Sequence, residues 1–259
     1  LDMRQFKTLK MFVHAEKMLE KDTYKNGEVN LFVRLGSDFT GNYYEYELPL
    51  NFTPWYTGAT NRTAIWPTAN DVEIDLEKIV KVKENRNEKM RSGDNSVSSL
   101  LPYYEIVDGR KITVLGSPSI SNVQVMMIGV RNPKKVSIND DDDMQAKSVE
   151  VWINELRLTD FNKSAGWAAT GTARTNLADL GDLSLSGSYR SAGFGTLEQS
   201  ISKISQDNIG TFDVATNIEL GKFLPPKSGV KLPMHFDYSQ SVSNPRYNPL
   251  DPDVLLADD

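Results

Sequence analysis

"VEVWINELRLTDF", Val149 to Phe161, begins as a regular strand and changes phase half-way along. Val149, Val151 and Ile153 fall on one face, and Glu150, Trp152 and Asn154 on the other. Beyond Glu155, Leu156 and Leu158 take the face that Trp152 and Asn154 held. Side chains in a strand alternate with period two, so one unpaired extra residue reverses every side chain after it. The expectation is a β-bulge at Asn154–Glu155, a device that re-aims a strand. The chain beyond it is expected to turn out of its sheet towards a new strand starting at Gly166.

Working back from this stretch, the first 160 residues read as short strands separated by turns. In "FKTLKMFVHAE", Leu9, Met11 and Val13 alternate with Lys10, Phe12 and His14; "GEVNLFVRLGS", "NYYEYELPL" and "RKITVLG" follow the same grammar. The run "VQVMMIGV" (Val123 to Val130) is apolar on both faces, as a central strand covered on both sides should be. "DVEIDLEKIVKVKENRNEKM" starts in strand period and then changes. Leu76, Ile79 and Val80 with the later Lys, Arg and Glu predict a helix over Leu76 to Met90, stopped by Ser92–Gly93. Many strands and one helix give a mainly β fold, with residues 1–160 a jelly-roll-like β-sandwich.

Working forward, residues 161–259 change character. "GWAATGTARTNLA", "DLSLSGSYR", "TFDVATNIEL" and "GVKLPMHFDYS" are four strands of about ten residues, each with one apolar face and one polar face. Leu183, Leu185 and Tyr189 share the apolar side with Leu232, Met234 and Phe236; Arg174, Arg190 and Asp237 take the other. The connection "ADLGD" is short and the stretch from Ser191 to Gly210 is long. Strands of 9–11 residues with alternating short and long connections suit an outer-membrane barrel, although a soluble β domain also alternates. Four strands do not close a barrel, so these would be antiparallel strands of a much larger one.

Composition narrows the classes. The net charge of −6 and pI near 5.1 exclude the clustered basic surface that nucleic acid requires. With no cysteine there is no disulfide, thiolate metal site or Cys nucleophile. Mean hydropathy is −0.43, and no apolar run is long enough for a membrane helix. The opening "LDMRQFKTLK" has neither a Met start nor the plan of a signal peptide, so an internal piece of a longer protein is expected.

Three long stretches carry a family resemblance: "VWINELRLTDFNKSAGWAATGTARTNLADLGDLSLSGSYRSAGFGTLEQSISKISQDNIGTFDVATNIELGKFLPP", "GVKLPMHFDYSQSVSNPRYNPLDPDVLL" and "FKTLKMFVHAE". They resemble the SprA/Sov family, giant outer-membrane proteins of the Bacteroidota that form the translocon of type IX secretion and support gliding motility. The resemblance is densest from Glu150 onward and thinnest over Lys83 to Gly116. It implies a very large outer-membrane β-barrel with a protein-conducting lumen. It also implies three partners: a PorV-type outer-membrane barrel protein, a periplasmic plug protein and secreted cargo proteins. Membrane lipid would surround the barrel, and the sandwich would lie on the extracellular side if "ADLGD" is a periplasmic turn.

Chemical candidates are few. His14 and His235, the two histidines, lie in strands without a nucleophile pattern and read as structural. Glu45 and Glu47 share a strand face, where sandwich glycosidases place paired carboxylates, but an E-x-E more often marks a solvated face. "NDDDDM" (Asn139 to Met144, with Asp140–Asp143) is dense enough in charge to attract Ca²⁺ yet lacks the spaced ligands and glycine of an EF-hand loop. Trp55, Tyr56 and Trp66 could stack on a sugar or staple a loop to the core. "NFT", "NRT" and "NKS" match the glycosylation pattern only. No catalytic residue, cofactor or metal site is expected. Besides the translocon, a carbohydrate-binding module of a cell-surface protein and a glycoside hydrolase using Glu45 and Glu47 stay open.

Overall fold

The computed structural model describes residues 1–58, 60–133, 146–162, 166–195, 198–199 and 204–256. The chain divides into two compact units, Leu1–Asn162 and Lys163–Asp259. The acidic stretch Asn139–Met144 and the last two residues of "NKS" lie outside the described residues.

In the first unit, β1 (Phe6–Lys17), β4 (Val72–Asp75) and β8 (Val149–Phe161) form a sheet ordered β4-β1-β8. A second sheet is ordered β5-β6-β3-β2-β7, from β2 (Asn30–Gly36), β3 (Tyr43–Pro49), β5 (Tyr103–Val107), β6 (Arg110–Leu115) and β7 (Val125–Arg131). All pairings are antiparallel. Both sheets face one core, in which Leu9, Met11 and Val13 of β1 meet Leu31, Val33 and Leu35 of β2 and Leu48 of β3. This is the sandwich that the alternation predicts: period-two burial on both inner faces.

The expected helix is α2 (Leu76–Arg91), preceded by a single turn, α1 (Arg62–Ile65). The Asp75 side chain caps α2, accepting from the backbone N–H of Glu77 at 3.0 Å and of Lys78 at 3.4 Å. The helix ends at Ser92, followed by Gly93 in the left-handed region (φ 87°). Its buried side includes Arg86, whose Nη1 donates to the Gly116 carbonyl at 2.6 Å.

The bulge in β8 is present. Asn154 pairs with Phe12 and Arg157 with Lys10, so three steps on β8 match two on β1, and Glu155 adopts φ 54°. Its effect is to hold the inner face constant: Ile153 pairs with Val13 and Leu158 with Leu9, and Val151 and Leu158 both pack against the core despite their opposite parity. The chain does not leave the sheet there, because pairing continues to Phe161 opposite Phe6. The run Val123 to Val130 also differs from its reading. It is not a central strand: β7 is an edge strand, with Met126 and Ile128 towards the core and Val130 exposed. Its second face reads apolar because the Phe32 ring of β2 lies over Gly129.

The second unit is a sheet ordered β12-β11-β10-β9, with β9 (Ala168–Asn176), β10 (Gly181–Arg190), β11 (Asp207–Glu219) and β12 (Pro233–Pro245). A small hairpin of β13 (Tyr247–Asn248) and β14 (Asp251–Leu255) follows.

Candidate functional site

Register in the four-stranded sheet puts matching chemistry side by side. Ala173, Leu185, Val214 and Tyr238 make one rung, and Thr175, Leu183, Thr216 and Phe236 the next. On the reverse face, Arg174, Ser184, Ala215 and Asp237 share a rung. Of the six apolar residues expected on one face, Leu183, Leu185 and Tyr189 of β10 thus share it with Met234 and Phe236 of β12, Leu232 precedes β12, and Arg174, Arg190 and Asp237 lie opposite.

The two faces differ in more than composition. The polar face is knitted by side chains: Ser186 Oγ and Ser239 Oγ both donate to Asp213, at 3.1 and 2.5 Å. Ser188 and Thr211 hydroxyls lie 2.7 Å apart, and Asn217 Nδ2 donates to Asp182 at 3.1 Å. His235 Nδ1 sits 2.7 Å from Asn217 Oδ1, exposed on this face as a structural group. On the apolar face, Phe212 and Phe236 leave 48% and 50% of their surface uncovered by the described residues. Trp167 and Tyr189 meet at one end of this face, ring centroids 4.8 Å apart. Burying one such side chain is worth about 1.5–3 kcal/mol, so a face of them in water is costly and an apolar medium or partner stabilises it. Both edges are open as well, with β9 exposed along its whole length and β12 along nearly all of it.

In the sandwich, Glu45 and Glu47 turn out to be buried, not solvated, at 3% and 4% exposure. Arg131 Nη1 donates to Glu45 Oε1 at 2.8 Å and to Glu47 Oε2 at 2.7 Å, and its Nη2 donates to Glu45 Oε2 at 2.9 Å. Arg34 Nε donates to Glu45 at 2.5 Å, Asn30 Nδ2 to Glu47 Oε1 at 2.8 Å, and Lys111 Nζ lies 3.5 Å from Glu47. Burial opposes ionisation of Glu45, but the Arg131 and Arg34 hydrogen bonds outweigh it and hold its pKa below the ordinary value. Both carboxylates are tied up by cations, which makes the pair an ion network rather than an acid–base dyad. Sequence reading missed Arg34 and Arg131. The available signal was a hairpin with Asn30 and Arg34 on one strand and E-x-E on the next, where opposite charges face each other.

His14 is buried, with Nδ1 at 2.6 Å from the Ile65 carbonyl and 3.0 Å from Thr53 Oγ1. Its ring meets Trp66 at 5.9 Å, so Trp66 fastens this loop to β1. Trp55 and Tyr56 are exposed, and their rings meet edge-on at 80°, which offers a sugar no common flat platform. Among the described residues no group of His, Cys, Asp and Glu is placed to hold a metal, and no helix is long and apolar enough to cross a membrane.

The molecule is therefore a mainly β protein of antiparallel sheets, one of which is amphipathic from edge to edge. Residues 1–259 match the SprA_N family, described as motility related/secretion protein, and the chain belongs to that family. The resemblance seen in the sequence is thus confirmed. Comparison with curated proteins finds no match. The family is one of motility and secretion and is not a known enzyme family.

Proposed function

We propose that this chain is part of the outer-membrane, protein-conducting translocon of type IX secretion, required for export of cell-surface and gliding proteins. The observation that carries the reading is the four-stranded sheet, with exposed apolar side chains on one face and a hydrogen-bonded polar ladder on the other. A lipid-facing barrel wall has this build: apolar outside, polar towards a wet lumen, and each edge passing its hydrogen bonds to the next strand. The Trp167–Tyr189 pair at one end fits the aromatic belt at a membrane interface. On this reading the partners are a PorV-type outer-membrane barrel protein, a periplasmic plug protein and the secreted cargo, and the sandwich lies on the extracellular side.

The test is solvent access in the assembled protein. Cysteines introduced at 183, 185, 234 and 236 should resist water-soluble maleimides and react with a probe dissolved in the lipid. The sequence has no native Cys to confuse the reading. Equal protection from both probes would place these residues in a dry protein core and sink the barrel assignment.

A further inference from the structure

A cleft of about 320 Å³ opens in the sandwich between the turn that follows β1 and the segment Phe52–Trp55. The turn contributes Glu20, Thr23, Lys25 and Asn26, the end of β1 contributes Lys17, and the second segment contributes Trp55. Tyr24 and Phe52 line it as buried rings that meet edge-on, centroids 5.2 Å apart. The walls are fixed by the backbone. The Phe52 N–H donates to Asn26 Oδ1 at 2.8 Å and the Thr53 N–H to the Ala15 carbonyl at 2.8 Å, while Lys17 Nζ donates to the Asp22 carbonyl at 3.0 Å. The volume stands at the small end of ligand sites, and the mix of aromatic body with a few polar groups is their usual lining.

One residue at the mouth is held against its own preference. The Thr57 N–H donates to the Pro54 carbonyl at 3.2 Å, closing a turn whose third residue, Tyr56, has φ 64°. That position favours glycine. Packing does not explain a tyrosine there, because 84% of it is exposed. Its hydroxyl donates to Glu20 Oε2 at 3.0 Å, which joins the two walls and fixes the Glu20 carboxylate beside the cleft. Backbone strain kept in this way is a mark of functional positions.

We infer that this cleft binds one acidic pyranose residue, a hexuronic acid unit of a glycan. Trp55 supplies the aromatic surface for the C–H face of the ring. The rings of Trp55 and Tyr56 stand at 80°, so they share no platform for successive sugars, and a single ring beside a small cleft suits a single sugar. Two ammonium groups, Lys17 and Lys25, line the cleft against one carboxylate, Glu20, and the surplus positive charge pairs with the carboxylate of the sugar. Among the described residues nothing hydrogen-bonds the Lys25 ammonium, the Thr23 hydroxyl or the Asn26 amide nitrogen. These groups are free for the sugar's carboxylate and oxygens, and Glu20 accepts from its hydroxyls. Tyr56 is a positioning residue that acts through Glu20. The inference concerns the sandwich alone and does not depend on the barrel reading.

Saturation-transfer NMR on the full chain tests this, with trigalacturonic acid as probe and the neutral galactose trimer as control. Saturation should pass to the acidic trimer and much less to the neutral one. Trp55→Ala and Lys25→Ala should each weaken binding about tenfold with Tm unchanged, since both side chains are exposed. Tyr56→Gly should weaken binding without lowering Tm, because glycine takes the turn position without strain. No transfer to trigalacturonic acid in the wild-type chain, or binding undiminished by Trp55→Ala, overturns the site. Equal binding of the neutral trimer overturns the acidic sugar, and full binding by Tyr56→Gly overturns the positioning role.

Discussion

Arg131→Met removes the one group that bridges both buried carboxylates of β3. It takes away three hydrogen bonds of 2.7–2.9 Å and leaves Arg34 on Glu45 and Asn30 with Lys111 on Glu47. Removing one partner of a buried ion pair costs about 3–5 kcal/mol, and the remaining donors put this variant at the lower end, about 3 kcal/mol. Native-state hydrogen exchange at the β3 amides should then quicken about a hundredfold. The loss should depend on pH. The folded pKa of Glu45 lies below its ordinary value of 4.5, so its stabilising contribution is complete above that pH and disappears as pH falls through the folded value. The gap between wild type and Arg131→Met is therefore full at pH 7 and closes in acid. Adding Glu45→Gln and Glu47→Gln to the variant should restore most of the protection, because no buried charge is left without its partner. A loss below about 0.5 kcal/mol, or one that is unchanged between pH 7 and acid, would mean that water already solvates these carboxylates and that the network does not hold the sheet.

On the proposed barrel reading, Leu185→Arg should block membrane assembly at a cost of about 2–4 kcal/mol, whereas Ser186→Arg, one residue along on the polar face, should assemble normally; heat-modifiability on gels reads both. Gly129→Ala places a Cβ 2.5 Å from Phe32 Cζ and should lower stability by about 1–3 kcal/mol, visible as a fall in Tm that Phe32→Leu partly rescues. Deleting Glu155 should leave the sandwich folded, with Leu158 still opposite Leu9 and Leu156 opposite Met11, but should increase self-association in light scattering; loss of cooperative unfolding would contradict the surplus-residue reading.

Strand alternation made most of the fold legible. Leu9, Met11 and Val13 announced the inner face of β1, and the phase change at Glu155 located the bulge to the residue, because a period of two converts any extra residue into a visible reversal. The helix was readable from the spacing of Leu76, Ile79 and Val80 and from its stop at Ser92–Gly93, whereas its Asp75 cap was not. What alternation does not carry is the neighbour of each strand. Val123 to Val130 looked central because Phe32 covers Gly129 from the next strand, a contact between residues far apart in sequence. Glu45 and Glu47 looked solvated for the same reason: their burial is made by Arg131, 84 residues beyond Glu47. The amphipathic sheet was legible in full as a pattern, since register only aligned what each strand already displayed.

The bulge makes physical sense in terms of edges. Strand β8 is an edge of its sheet and, at 13 residues, is as long as any strand among the described residues. An edge strand of that length is a template for another chain, and Trp152, Ile153 and Leu156 are exposed along it. One surplus residue in the left-handed region breaks the row of outward N–H and C=O groups and adds local twist, and the exposed Glu155–Arg157 ion pair places charge at the break. The inner face is unaffected, since Val151 and Leu158 still reach the core. The four-stranded sheet shows the opposite arrangement. Both β9 and β12 are regular to their ends, and each pairs without a register shift along its whole ladder. Edges left that regular and open suit strands built to continue into neighbours, while the bulged edge of β8 suits a sheet that ends.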